Sequence, residues 1–203
     1  MLDKNHNQVF NQNISQVQNE FSDSNPNFVL SSNPFVKTEF LHKLVESMGL
    51  PVFFLDCDLL YSGYVASGII KKNDKLEFFV ATKSSLNNDI KQIIKKIENE
   101  KSLVILDSLN GFYNMFDELE YVRFINATIM LLSSVAKYSK SIIIITGITR
   151  KNEGKGYILS PTGRHIVRIK KAGFYELGLS ETSLILNLMD SNQENKRSYE
   201  ISK

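Results

Sequence analysis

Two residue pairs stand out by type and position: Lys37-Thr38, where a strand-like run gives way to a helical one, and Asp107-Ser108, at the end of a long apolar run. A lysine followed by a hydroxyl at a helix start can bind a phosphate with its ammonium and a Mg2+ ion with its hydroxyl. A carboxylate at a strand tip can hold such an ion directly or through water. Asp56 and Asp58 form a second acidic tip after Val52-Phe53-Phe54-Leu55. Acids at i and i+2 of a strand face the same way, so both can approach a site above the sheet edge. Each feature also has a plain structural alternative. A carboxylate at a strand end can start or cap a turn, and a bare Lys-Thr is common where helices begin.

The stretch before Lys37 tests the first pair. A phosphate-binding loop has the pattern G-x-x-x-x-G-K-[ST], and here Ser31 and Val36 stand where the two glycines belong. Such a loop wraps phosphates with successive backbone N–H groups in conformations that glycine tolerates and a β-branched residue resists. Pro34 removes one further N–H. On this pattern Ser31, Ser32, Asn33, Val36, Lys37 and Thr38 are the candidate phosphate contacts, and Thr38 and Asp107 the candidate metal ligands.

The elements that must position these groups follow from periodicity. Leu103-Val104-Ile105-Leu106 is continuously apolar and rich in β-branched residues, as a central parallel strand covered on both faces should be. Phe28 to Leu30, Val52 to Leu55, Leu76 to Val80 and Ile142 to Thr146 read as further strands. Helical stripes separate them: Phe40, Leu41, Leu44, Val45 and Met48 closed by Gly49; Leu86, Ile90, Ile93, Ile94 and Ile97; and Val122, Ile125, Ile129, Leu132 and Val135 between about Glu118 and Tyr138. A short helix is expected within Leu59 to Ile70, and a loop over Asn110 to Asn114. Strands alternating with helices predict βαβ units and a mostly parallel sheet. After a polar, glycine-containing loop at 148–162, the short strands His165–Lys170, Phe174–Leu177, Ser183–Met189 and Tyr199–Ile201 predict an antiparallel extension. Residues 1–26 are rich in Asn, Gln and Ser and read as a polar arm ahead of a core domain over 27–203; Ile14, Val17 and Phe21 are spaced for a short helix that docks on that core or on a neighbouring subunit.

Composition narrows the class. With 203 residues, of which 42% are hydrophobic, the chain can bury a core of ordinary size without staples. A lone cysteine, Cys57, forbids an internal disulfide and suits a reducing compartment. There is no uncharged apolar run near the roughly 18 residues needed to cross a bilayer. With no leader pattern at the start, a cytoplasmic location and no membrane partner are expected. The net charge is only +2, but eight basic residues face Glu153 alone between Lys140 and Lys171, a segment charge of +7 that leaves −5 elsewhere. Such a patch suits a polyanion, and equally an ordinary solvated face.

Taken in order, these parts resemble the RecA/RadA recombinase superfamily, specifically the short archaeal RadA-like paralogues made of the core alone. The resemblance spans about Phe28 to Ile201. It rests on the loop ending Lys37-Thr38, the Phe54-Leu55-Asp56-Cys57-Asp58 strand end, the Leu103 to Ser108 strand, the Ile142 to Thr146 strand, the basic loop and the terminal strands. It implies a RecA-like P-loop NTPase core: a mostly parallel sheet flanked by helices, with a C-terminal antiparallel extension. It implies ATP and Mg2+ as cofactors, with Lys37 on phosphate, Thr38 and Asp107 at the metal, and Asp58 where the family has a water-activating glutamate. It also implies that the basic loop contacts single-stranded DNA, through Arg150, Lys151, Lys155, Arg164 and Arg168, binding phosphates without reading sequence. Tyr157 would stack on a base or pack beneath the loop.

Departures from the family pattern shape the functional expectation. Asp58 is one methylene shorter than glutamate, and Thr146-Gly147-Ile148 stands where the family has a γ-phosphate-sensing Gln. Together with the missing glycines, these predict a pseudo-ATPase, with weakly bound nucleotide or none, that assists DNA recombination or repair beside a recombinase or another RecA-like subunit, in a homo- or hetero-oligomer. Two alternatives stay open: an active DNA-repair ATPase that tolerates Ser31 and Val36, and a structural RecA-like subunit of a heteromeric complex, like those of Elongator, acting on tRNA.

Overall fold

A strand without a polar side must be covered on both faces, and this requirement organises the molecule. A computed structural model of the chain describes residues 14–116, 120–152, 156–160, 171–190 and 194–202. Strands β1 (Asn27–Ser31), β2 (Val52–Asp56) and β4 (Leu103–Asp107) are buried at every position. They join β3 (Leu76–Val80), β5 (Ile142–Asn152), β7 (Gly173–Leu179), β8 (Ser183–Met189) and β9 (Asn195–Ser202) in one sheet of order β3-β2-β4-β5-β1-β7-β8-β9. A further strand, β6 (Gly156–Leu159), pairs only with the far end of β5. Along β4 the side chains divide by alternation. Leu103 and Ile105 enter one core with β1, β2 and α2 (Pro34–Ser47), while Val104 and Leu106 enter a second core under α4 (Leu86–Asn99) and α6 (Glu120–Ser139).

The expected mostly parallel α/β sheet is present, with β4 lying between β2 and β5. The expected antiparallel extension is present as β7-β8-β9, and it joins the sheet through a parallel pairing. β7 runs parallel to β1, with Phe28 opposite Phe174, while β8 is antiparallel to β7 and β9 to β8. The reason is visible in β7 itself: Tyr175 and Leu177 fill the first core and Phe174 packs against the second, so it is an interior strand with both faces covered. The expected strand His165–Lys170 lies outside the described residues.

Residues 14–23 form a helix, α1, whose Ile14, Val17 and Phe21 are buried in the first core. The Phe21 ring meets Phe40 and Tyr175 edge-on, and Glu20 binds Arg197 and the Tyr199 hydroxyl of β9. From residue 14 onward, the polar arm is therefore part of the core packing. The short helix expected between Leu59 and Ile70 is α3 (Leu60–Ala66). The expected loop at Asn110 is instead a short helix, α5 (Leu109–Asn114), capped by the Ser108 hydroxyl, which accepts the Gly111 N–H. Among the described residues no helix is long and apolar enough to cross a membrane.

Candidate functional site

In a parallel sheet the strand tips converge at one edge, and here the tips of β2 and β4, with α2 and β5 beside them, bring together the residues singled out by type. Register places Asp56 of β2 beside Asp107 of β4, and a 2.6 Å hydrogen bond from the Cys57 N–H to the Asp107 carbonyl continues that pairing past the end of the sheet. Into this corner Lys37 extends from α2. Its ammonium lies 2.5 Å from Asp107 Oδ1 and 3.0 Å from Asp58 Oδ2, with Lys37 and Asp107 side chains fully buried and Asp58 about a quarter exposed. Thr146, from β5, donates its hydroxyl to Asp107 Oδ1, and Ser108, joined to Asp107 by a cis peptide, donates to Asp58 Oδ2 at 2.9 Å.

How α2 begins determines how Lys37 is used. The helix starts at Pro34, three residues earlier than the Lys-Thr pair suggests, so only Ser32 and Asn33 separate it from β1. Asn33 is an N-cap: its Oδ1 accepts the Phe35 and Val36 N–H groups at 2.9 and 3.4 Å. The Asn33 carbonyl accepts the Lys37 N–H, and the Ser31 hydroxyl accepts the Asn33 N–H. Pro34, at the first helical position, has no N–H to offer. Lys37 is thus a helical residue, and Thr38 turns its hydroxyl back onto the Pro34 carbonyl at 2.9 Å. The six residues proposed for phosphate form a closed, internally bonded turn.

The acids divide in role. Both oxygens of Asp56 accept backbone N–H groups, from Leu59 and Ser62, each at 2.9 Å. That caps α3 and holds Leu59 in the left-handed region at φ +62°. Asp56 is therefore the turn-capping acid that its position allowed, whereas Asp58 turns toward the lysine. Asp58, Asp56 and Asp107 can each bring an oxygen within 4.8 Å of the others. The second oxygen of Asp107, Oδ2, is buried without a hydrogen-bond donor.

Protonation follows from this packing. Burial raises the Asp107 carboxyl to about 6 and Asp58 adds to the effect, opposed by the Lys37 ammonium and the Thr146 hydroxyl. For Lys37 burial works downward, but Asp107 and Asp58 outweigh it and hold the ammonium charged. The Cys57 thiol is pushed well above its ordinary range by burial and by the three carboxylates around it, which favours the protonated thiol.

The described part of the basic segment beside this corner includes a hairpin. β5 runs on to Asn152 and pairs with β6, setting Thr149 opposite Leu159 and Arg150 opposite Ile158. Within the expected polar loop at 148–162, the described residues 149–152 and 156–159 pair as a hairpin, because Tyr157 and Ile158 are strand formers and Ile158 and Leu159 are buried. Arg150 is exposed; Lys151 lies in β5, and Lys155, Arg164 and Arg168 are outside the described residues. Tyr157 is half-buried against the second core.

One residue that periodicity does not reveal ties the two regions together. Asn110 of α5, buried, accepts the Ile148 N–H at 2.7 Å and donates to the carbonyls of Ile148 (2.9 Å) and Ser160 (2.5 Å). It pins both legs of the hairpin at their base, two residues beyond Ser108. Thr146 was likewise hidden, since nothing local signals its bond to Asp107. The early helix start did have a signal, because Asn-Pro reads as an N-cap followed by the first helical residue.

No family model and no curated protein matches this sequence. Among solved structures, the crystal structure of the RadB recombinase aligns over 87% of this chain and 87% of its own, with a TM-score of 0.57 at 11% identity. With that strand order, those helices and that likeness, the chain has the fold of the RecA-like recombinases.

Proposed function

We propose that this chain is a non-hydrolysing RecA-fold paralogue that serves DNA recombination or repair, binding single-stranded DNA through the β5–β6 hairpin beside a recombinase or another RecA-like subunit. The observation that carries the first half is the closed β1–α2 turn. ATP with Mg2+ does not fit it: the N–H groups of Asn33, Phe35, Val36 and Lys37 are all bonded within the turn, Thr38 is turned away, and the Lys37 ammonium is held by two carboxylates. Titration calorimetry with Mg-ATP is expected to give no binding heat, and saturable heat lost in Lys37→Ala would end this reading.

Support for the second half is the exposed Arg150 on a hairpin in the stretch with the chain's strongest positive charge. Its chemistry suits phosphates rather than base edges. Fluorescence anisotropy with a labelled single strand is expected to show binding at low salt. The log–log salt slope should become shallower by about 1.4 in the Arg150→Ala/Lys151→Ala double variant, from roughly 0.7 per lost phosphate contact. Undetectable binding at low ionic strength, or an unchanged slope, counts against the hairpin; tighter binding of tRNA would move the chain to the structural-subunit class.

A further inference from the structure

We infer that Lys37 is a tethered cation: its ammonium occupies the place in the acidic corner that a divalent ion would need, and so makes the corner complete without metal. This rests on the β1–α2 turn being closed to nucleotide, but not on DNA binding.

The charge balance around the corner leads to this. Asp56 is satisfied by the two N–H groups at the head of α3, and Asp58 Oδ1 accepts the Leu60 N–H at 3.3 Å. What remains is Asp107, fully buried, and the inner oxygen of the partly exposed Asp58, two carboxylates that meet at the Lys37 ammonium. Like charges so placed call for a cation or for a proton on one of the acids, and here a cation is at hand. Lysine supplies a compact point charge with several donors, and here its ammonium bonds to both acids. The buried, donorless Asp107 Oδ2 shows that the ammonium and the hydroxyls of Ser108 and Thr146 do not exhaust the oxygen ligands of the corner. An all-oxygen, net negative pocket is what Mg2+, Mn2+ and Ca2+ prefer, but entry requires displacing an ammonium that is fully buried and anchored in the second turn of α2.

Removing the ammonium should therefore create a metal site that the natural chain lacks. The probe is MnCl2, read by thermal unfolding and by the loss of the free-ion EPR signal. The wild type should show no bound Mn2+ and a shift in midpoint under about 1 °C, against the 2–4 °C per kcal/mol typical of this size. Lys37→Ala should bind one ion per chain and, at Mn2+ in hundred-fold excess over its Kd, unfold roughly 5–10 °C higher than without the ion. The Lys37→Ala/Asp107→Asn variant should lose most of that response. Mn2+ bound by the wild type and lost on Asp107→Asn would overturn the inference, as would a Lys37→Ala protein that folds and ignores Mn2+. If Lys37→Ala does not fold in metal-free buffer, refolding with and without MnCl2 decides: recovery only with the ion supports the tethered cation, and no recovery with it refutes the idea. A negative result here leaves the DNA titration untouched, and a negative titration leaves this result untouched.

Discussion

Asp107→Ala is expected to lower the unfolding free energy by about 3–5 kcal/mol, the usual cost of removing one partner from a buried ion pair. In a domain of this size that is a fall in midpoint of roughly 6–20 °C. The cost does not come from losing attraction alone. The ammonium of Lys37, fully buried, would be left with the partly exposed Asp58, and the Thr146 hydroxyl would lose its acceptor. A companion variant separates the two contributions. Lys37→Met/Asp107→Leu removes both charges while keeping bulk, and should cost much less than the single change, because a buried ion pair replaced by packed apolar groups is often nearly neutral. Urea unfolding of wild type and both variants is the measurement. A loss below about 1 kcal/mol in Asp107→Ala would mean that water reaches the corner and that the pair is not the buried one described.

Gly111→Ala should be the next most damaging small change. A Cβ at this position would stand 2.4 Å from the Cys57 carbonyl oxygen, 2.6 Å from its carbon and 2.9 Å from the Asp58 nitrogen, all backbone atoms without a rotamer to change. Relief requires α5 to move away from the β2 tip. That displaces Asp58 from Lys37 and Ser108, so the cost should reach about 1–3 kcal/mol or more despite the addition of a single methyl. Gly63→Ala is the matched control. That glycine lies in α3 with nothing near its would-be Cβ, and alanine there should stabilise by up to about 1 kcal/mol. Thermal midpoints that move the same way for both variants would show that helix propensity, not the close approach at Cys57, governs the first.

The parts of the fold legible in the sequence are those determined by burial alone. Leu103 to Leu106 reads as a central strand because residues on both of its faces enter cores, and Ile90, Ile93 and Ile97 read as one helix face because that face is dry. The site was legible in its membership but not in its connections. Lys37, Asp58 and Asp107 could be chosen by type, yet whether the lysine meets a phosphate or a carboxylate depends on how Asn33 and Pro34 start the helix. The fate of Asp56 depends likewise on the turn after it, which takes both its oxygens for backbone. Asn110 and Thr146 act across 38 and 39 residues of sequence, and local periodicity carries no trace of such pairings. The parallel pairing of β7 was hidden for the same reason: its neighbour β1 lies at the other end of the chain.

The three hydrogen bonds of Asn110 have a consequence for how the hairpin meets any ligand. Its two legs are set at their base during folding, by one carboxamide on a short helix that also follows the Lys37 corner. Residues ordered in advance lose no conformational freedom when a partner arrives, so the entropy of arranging the base is already settled and only the side chains of the arm remain to be fixed. Contacts made by Arg150 would then carry only the cost of fixing its own side chain, and the arm would keep its aim whether or not anything is bound at the strand tips.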